Sequence, residues 1–162
     1  MCAVRHAVLA LLALPLALGC HLPHDPEGTH LRVRGGTMRV GITENEPWTR
    51  LEPEEKPRGL EVELVQKFAR QLEAEIEWVR DSESNLIERL HRGELDLVIG
   101  GLTQSTPWSD RVGLTQPYVE LPDKKHVMAV PQGENRWLLE LDRFLQSRKA
   151  QIYDRLQEEA SP

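Results

Sequence analysis

The side-chain pattern between residues 38 and 99 changes period several times, and this alternation constrains the fold more than any other feature. Residues 38–43 alternate apolar side chains with polar or small ones, as strands do. Residues 44–58 form a polar segment with three prolines, which predicts a loop. From Gly59 onward, apolar side chains at helical spacing predict a helix of about three turns. Its stripe comprises Leu64, Val65, Phe68, Ala69 and Leu72.

A second strand, a second helix and a third strand follow in the same order. Residues 76–80 alternate apolar and charged side chains, which favours a short strand. Ser84 can cap the next helix, and Gly93 can end it in the left-handed conformation. The apolar face of that helix comprises Leu86, Ile87 and Leu90. Residues 95–99 are apolar except for Asp96, as in a buried central strand. Strands and helices in this order predict an α/β fold with a mostly parallel sheet.

The remainder of the chain adds three expected elements. Thr106 and Pro107 form a helix-start signal, with the hydroxyl as cap and the proline at the first helical position. Residues 127–130 predict another strand. From Asn135 a helical apolar stripe continues almost to the end of the chain.

The N-terminus predicts export from the cytoplasm. Residues 7–18 form an apolar run that is too short to span a bilayer, which takes about 20 residues. We therefore predict a signal peptide over residues 1–19. Residues 16–20 resemble a bacterial lipobox, which implies lipidation at Cys20 and an extracytoplasmic, membrane-anchored protein. A plain secretory signal with a soluble product is the alternative.

Residues 20–36 are rich in His, Pro and Gly and show no regular period, so we expect a flexible tether. His21, His24 and His30 lack acidic or cysteine partners in register, so we predict no metal site and no cofactor. Cys2 lies in the predicted signal, which leaves no cysteine pair in the mature chain. Residues 37–162 then form one small domain.

The charge balance excludes one class of partner. Removal of the signal takes away Arg5 and no acid, so 19 basic residues face 26 acidic ones and the net charge is −7. Such a chain is not expected to bind nucleic acid.

Several short motifs occur in a characteristic order and spacing. They are Val40-Gly41-Ile42-Thr43, Glu46-Pro47-Trp48, Gly59-Leu60-Glu61-Val62-Glu63-Leu64, Gly93-Glu94-Leu95-Asp96, Ile99-Gly100-Gly101-Leu102-Thr103 and Leu114-Thr115-Gln116-Pro117-Tyr118. Together they resemble the family 3 extracellular solute-binding proteins, the periplasmic amino-acid receptors of ABC importers. The resemblance implies one lobe of a periplasmic-binding-protein-like type II fold.

The resemblance also implies a ligand site for a small polar molecule such as an amino acid. Gly101 and Thr103 match positions that offer a carbonyl and a hydroxyl to the ligand. Trp48 matches an aromatic residue of the cleft, and Thr43 ends the first strand, where ligands bind in open α/β sheets. Trp108 stands where the family has a carboxylate-binding arginine. Arg111, three residues further along, is either its substitute or a surface arginine.

The second lobe of the family is missing from the pattern. After Tyr118 the chain passes almost at once to residues 127–130, which match the strand that returns to the first lobe. Ligand burial in this family requires two lobes that close on a hinge, so one lobe implies an open groove.

Two functions remain open at this point. The first is a solute-binding lipoprotein that serves an ABC permease or acts as a sensor. The second is an interaction module that docks on a membrane protein or forms a homodimer. No Ser/His/Asp order or metal cluster marks an enzyme, so we expect no catalytic activity.

Overall fold

A computed structural model describes residues 25–160 and shows a five-stranded sheet flanked by helices. The helices are α1 (Thr29–Val33), α2 (Leu60–Gln71), α3 (Glu83–His91), α4 (Asn135–Gln146) and α5 (Lys149–Ala160). The strands are β1 (Thr37–Ile42), β2 (Glu75–Arg80), β3 (Leu97–Ile99), β4 (Val112–Leu114), β5 (Val119–Leu121), β6 (Lys124–His126) and β7 (Ala129–Pro131).

The sheet has the strand order β2-β1-β3-β7-β4, and β5 and β6 form a separate hairpin. Strand β1 runs parallel to both β2 and β3. Strand β7 is antiparallel to β3 and to β4, so four of the five strands share one direction. The predicted α/β fold with a mostly parallel sheet is therefore confirmed. The strand predicted at residues 127–130 corresponds to β7, which lies beside β3 in the sheet.

Two apolar clusters cover the two faces of the sheet. On one face, Phe68 of α2 packs against Trp137 and Phe144 of α4, with ring centroids 5.3 and 4.9 Å apart. On the other face, the apolar side of α3 packs under β3, β4 and β7. The predicted helical stripes are thus the core-facing sides of α2 and α3.

Several local predictions are wrong. Residues 107–111 form turns instead of a helix, and the cap of α3 is Ser82, whose hydroxyl accepts from the Asn85 amide. The long C-terminal helix is two helices, because α4 ends before Ser147 and α5 begins at Lys149. Strand β4 and the hairpin were not predicted.

The predicted tether is too long at its C-terminal end. Within it, α1 is docked on the domain, and Val33 is completely buried. The Glu134 carboxylate accepts from the backbone amides of Glu27 and Thr29, at 2.9 and 3.0 Å. The Thr29 amide is one that a short helix leaves free at its start, and the Glu27 amide lies just before the helix. Residues 20–24 of the predicted tether lie outside the described residues, as do the signal and Cys20.

The hairpin is held against the C-terminal helix. The Tyr153 hydroxyl accepts from the Glu120 amide at 2.8 Å, and Lys149 pairs with the Glu120 carboxylate at 3.0 Å. The hairpin and its flanks, residues 115–128, occupy the place in the chain where a second lobe would be inserted. Among residues 25–160, no helix combines the length and the apolar character needed to cross a membrane.

Candidate functional site

The carboxyl ends of β1 and β3 meet at Thr43, Gly100 and Gly101. Gly101 has φ +67, and a β-carbon added there would lie 2.5 Å from both the Trp48 ring and the Asn45 amide nitrogen. Only glycine fits a backbone with this conformation and this close a neighbour. The structure thus brings Thr43, Trp48 and Gly101 together at one edge of the sheet.

A buried carboxylate accepts hydrogen bonds from the backbone at this edge of the sheet. Glu61, on the first turn of α2, is fully buried and accepts from the amides of Gly100 and Gly101 at 2.7 and 2.9 Å. It also accepts a short hydrogen bond from the Tyr118 hydroxyl. Burial raises the pKa of Glu61, and the three donors act in the opposite direction. Burial and the nearby Glu61 raise the pKa of Tyr118.

Side chains of the loop after β1 donate hydrogen bonds to the carbonyl groups at the strand ends. The Thr49 hydroxyl donates to the Thr43 carbonyl at 2.6 Å, and the Asn45 side chain donates to the Gly100 carbonyl at 2.8 Å. These bonds fix the loop after β1 over the edge of the sheet. They also mean that a ligand would have to compete for the same carbonyl groups.

The hairpin covers the segment that follows β3. The Gln104 amide donates to the Lys125 carbonyl at 2.8 Å, and the Val127 amide donates to the Leu102 carbonyl at 2.9 Å. Between these bonds, Thr103 and His126 form an antiparallel bridge. The Leu102 carbonyl and the Gln104 amide, on either side of Thr103, are therefore paired within the chain.

His126 stacks on the aromatic residue of the predicted site. Its ring lies 3.9 Å from the Trp48 ring, between centroids, with 30° between the planes. His126 and Trp48 are only 3% and 5% exposed. Burial lowers the pKa of His126, and hydrogen bonding to the backbone of Gly101 opposes that shift.

Thr103 borders the open part of the site. Its hydroxyl lies 3.1 Å from the Ser105 hydroxyl, beside a groove of about 310 Å³. Gln104 and Ser105 form one side of this groove, and Asp123 and Lys125 of the hairpin form the other. The groove is polar and carries one acidic and one basic side chain.

The side chains of Trp108 and Arg111 pair with residues of α3. The Trp108 indole donates to the Glu83 carboxylate at 2.8 Å, and its ring packs on the apolar cluster below α3. Arg111 pairs with Glu88 at 2.7 Å. The structure therefore groups Thr43, Trp48, Gly101 and Thr103 near the hairpin, whereas Trp108 and Arg111 have partners on another element. The ligand-binding roles of all six residues remain predictions.

Sequence reasoning missed two residues of this site. Glu61 lies in the first turn of α2, where an acid ordinarily complements the helix dipole, but its amide partners Gly100 and Gly101 lie about 40 positions away along the chain. His126 follows two lysines, and a lysine pair is typical of a solvated turn. Among residues 25–160, no group of three or more His, Cys, Asp or Glu side chains is arranged to hold a metal ion.

Solved structures with this fold include amino-acid-binding proteins. One is the arginine-bound form of domain 1 from TmArgBP, as a Phe57Trp mutant, with a TM-score of 0.67 and 21% identity over 75% of this chain and 98% of that chain. Another is an ancestral cationic amino acid solute binding protein, with a TM-score of 0.69 and 15% identity over 81% of this chain and 98% of that one. At these identities the comparison shows the fold.

Curated relatives share part of their length with the chain. Membrane-bound lytic murein transglycosylase F of Vibrio cholerae serotype O1 is 35% identical over 104 residues, which is 63% of this chain and 19% of the relative. The protein of the same name from Idiomarina loihiensis is 28% identical over 117 residues, 72% of this chain and 26% of the relative. The chain thus spans about a fifth to a quarter of these relatives.

The match to a family is longer than the matches to these curated relatives. It covers residues 38–160, from the first strand of the sheet to the last residue of α5. It includes the strand-end glycines, the buried Glu61 and the hairpin, and the family is one of extracytoplasmic proteins. The chain belongs to the bacterial extracellular solute-binding proteins, family 3, and represents a single lobe of that fold.

Proposed function

We propose that this chain is an extracytoplasmic recognition domain that binds an amino-acid-containing ligand, specifically a peptide of murein, in the groove beside Thr103. The observation that carries the proposal is the shape and charge of that groove. It is open to solvent and has Asp123 and Lys125 on one side and the hydroxyl of Ser105 on the other. A peptide end carries both charges, so an acid and a base together complement it.

The openness of the groove favours a ligand that is larger than a free amino acid. Family receptors bury a small ligand between two lobes, whereas residues 115–128 of this chain form only the hairpin and its flanks. A ligand that extends out of an open groove can gain contacts without such closure. The relatives are named as membrane-bound enzymes that act on murein, whose peptides supply ligands of this kind.

The test compares ligands of different size on the mature chain. NMR titration with a murein tetrapeptide should shift the amides of Gln104, Ser105 and Lys125, and free amino acids should bind at least about tenfold more weakly. Asp123→Asn and Lys125→Gln should each weaken the interaction. Lys124→Gln, one position along the same strand, is the matched control and should bind as the natural chain does. If neither the peptide nor any amino acid shifts these amides, the proposal is wrong.

The single-lobe form does not by itself exclude binding of a free amino acid. TmArgBP domain 1, which has the same fold, is described in an arginine-bound form. The same titration therefore separates two outcomes, since tighter binding of a free amino acid would identify a receptor for small solutes, with an ABC permease as partner.

A second candidate function is protein docking through the hairpin. Leu121 is 41% exposed at the hairpin, where the family continues into its second lobe. The place of this leucine, where a second lobe would follow, is the reason to test a protein partner or a second copy of the chain. Light scattering should then show a dimer that Leu121→Glu dissociates, and a monomer at all concentrations would leave only a different protein as partner.

Attachment to the membrane through Cys20 is part of the proposal. Acyl chains contribute about 0.8 kcal/mol per buried CH₂, so a multiply acylated cysteine holds a protein at a bilayer. Cys20→Ser should move the protein from the membrane fraction to the soluble periplasmic fraction. An unchanged distribution would contradict lipidation at this residue.

A further inference from the structure

Helix α1 and its flanks are attached to the domain at the end of the sheet where the parallel strands begin. The Gly35 amide donates at 2.9 Å to the carbonyl of Leu72, which lies shortly before β2. Arg32 donates to the carboxylate of Asp96, which lies directly before β3. Strand β1 begins directly after this segment. Residues 25–36, which we call the docked segment, therefore lie at the amino edge of the sheet.

The docked segment is held by both apolar and polar contacts. Val33 is completely buried, and burial of a valine side chain contributes about 1.5–3 kcal/mol. Glu134 is only 1% exposed and accepts from the amides of Glu27 and Thr29 at 2.9 and 3.0 Å. Glu134 follows β7, which runs antiparallel to β3, so this contact also lies at the amino edge of the sheet.

The polar groove of the proposed function lies at the opposite end of the sheet. Gln104 and Ser105 follow the carboxyl end of β3. Asp123 and Lys125 belong to the hairpin that pairs with this segment. Strand β1 has six residues, which span about 20 Å. The docked segment and the groove are therefore separated by about the length of the central strands.

Few residues separate the docked segment from Cys20. Four residues, 21–24, lie between Cys20 and Asp25, and a chain of this length reaches at most about 18 Å. If residues 25–36 were not docked, sixteen residues would lie between Cys20 and Thr37, and the reach would rise to about 60 Å. Docking of the segment thus brings the amino edge of the sheet close to Cys20.

We propose that the amino edge of the sheet, with α1, is the surface of the domain that faces a lipid bilayer, and that the groove opens away from this bilayer. Leu31 of α1 is 67% exposed and provides an apolar side chain for contact with lipid. The inference rests on the proposed attachment through Cys20. It deepens the proposed function, because a groove that opens away from the membrane is accessible to a peptide of murein and faces away from a permease in the same bilayer.

The experiment compares the distances of the two ends of the domain from a bilayer. Cys20 is the only cysteine in residues 20–162, so the mature chain is coupled through it to a maleimide lipid, in nanodiscs that contain a gadolinium-chelate lipid. The gadolinium ion enhances amide relaxation with the inverse sixth power of distance. Since the two ends are about 20 Å apart, the enhancement should be at least about tenfold greater at Leu31 and Gly35 than at Ser105. Equal enhancement at both ends, or greater enhancement at Ser105, would overturn the proposal.

A pair of variants tests whether docking determines this orientation. Val33→Asp places an unpaired carboxylate at a completely buried position and should release the docked segment. The relaxation enhancement should then become similar at both ends of the domain. Thr37→Asp, at an exposed position at the start of β1, is the matched control and should keep the difference between the ends. A difference that persists in Val33→Asp would contradict the proposal.

An insertion decides the case in which Val33→Asp does not fold. About ten Gly and Ser residues added directly before Asp25 leave the docked segment in place and lengthen only the attachment, so the difference between the ends should shrink. An undiminished difference would overturn the proposal. Because the attachment is chemical in every sample, these results do not depend on lipidation. Failure of lipidation is shown by fractionation of Cys20→Ser, and failure of the groove is shown by the peptide titration.

Discussion

Replacement of Glu61 by methionine tests whether one buried carboxylate holds the strand-end glycines in place. The side chain is fully buried and accepts three hydrogen bonds, from the amides of Gly100 and Gly101 and from the Tyr118 hydroxyl. Methionine has nearly the same length and fills the same space. It provides no acceptor for these donors, so Glu61→Met leaves three buried donors without partners.

The expected loss follows from those three donors. A buried donor that loses its acceptor costs about 1–3 kcal/mol. The sum is reduced because methionine also removes the cost of burying a carboxylate, whose pKa burial raises. We therefore expect Glu61→Met to lower the free energy of unfolding by about 3–5 kcal/mol. Glu61→Gln keeps one acceptor oxygen for the two amides and should cost about 1–2 kcal/mol.

Urea denaturation, followed by circular dichroism and tryptophan fluorescence, measures these differences. The slope of the transition should stay the same in all variants, so that the midpoints report stability. Glu63→Met is the matched control, because Glu63 is two residues along α2 and pairs with Arg155 at a partly exposed position. It should change stability by less than about 1 kcal/mol. If Glu61→Met costs no more than Glu63→Met, the carboxylate does not support the glycine segment.

Three further predictions concern single sites. Trp108→Arg places a guanidinium beside Glu83, so calorimetry should show no gain in amino-acid binding until Glu83→Gln is added; a gain in the single variant would contradict this. Gly101→Ala puts a methyl group 2.5 Å from the underlying indole at φ +67 and should cost about 1–3 kcal/mol in thermal unfolding. Gly133→Ala, at φ +89 with the nearest atom, Pro26 Cγ, at 3.9 Å, should cost clearly less. Burial raises the pKa of Asp25 from 3.8 to about 6, so the folded chain holds this proton more tightly and loses stability as the pH rises from about 4 to about 6. Asp25→Asn should remove that loss in denaturation curves over this pH range, and an unchanged pH profile would contradict it.

The central part of the fold could be predicted because its signals are local. The helices α2 and α3 and the strands β1 and β3 each carry a full period of apolar side chains within their own residues. The order of these elements determines a parallel arrangement, since parallel strands need a crossover connection. Neighbouring strands β1 and β3 indeed pair in parallel over Val40–Ile42 and Leu97–Ile99.

The hairpin could not be predicted because its strands are short and mostly exposed. Residues 124–126 include two exposed lysines and one buried histidine, which gives no apolar period. The hairpin is stabilised by contacts with Tyr153 and Lys149, about 30 residues further along the chain. For the same reason the helix-start signal at Thr106 was misleading. The segment before it pairs with the hairpin instead, and Thr106 closes a turn on the Thr103 carbonyl.

The site shows the same division between local and distant signals. The strand-end glycines and Trp48 could be identified from motifs within short segments. The partners that determine their chemistry, Glu61 and His126, are separated from them by tens of residues. No periodicity links residues at such distances, so only the folded chain shows which groups are already engaged.

The internal pairing of the strand ends has a consequence for affinity. In this chain the carbonyls of Thr43, Gly100 and Leu102 and the amide of Gln104 all have partners within the described residues. A ligand that uses these groups must first displace those partners, so the measured affinity is reduced by the fraction of molecules in which the site is open. An opening free energy of about 2.7 kcal/mol already lowers the affinity about 100-fold. A lobe that satisfies its own strand ends therefore gains stability without a second lobe, and for the same reason it favours ligands that bind outside the closed edge.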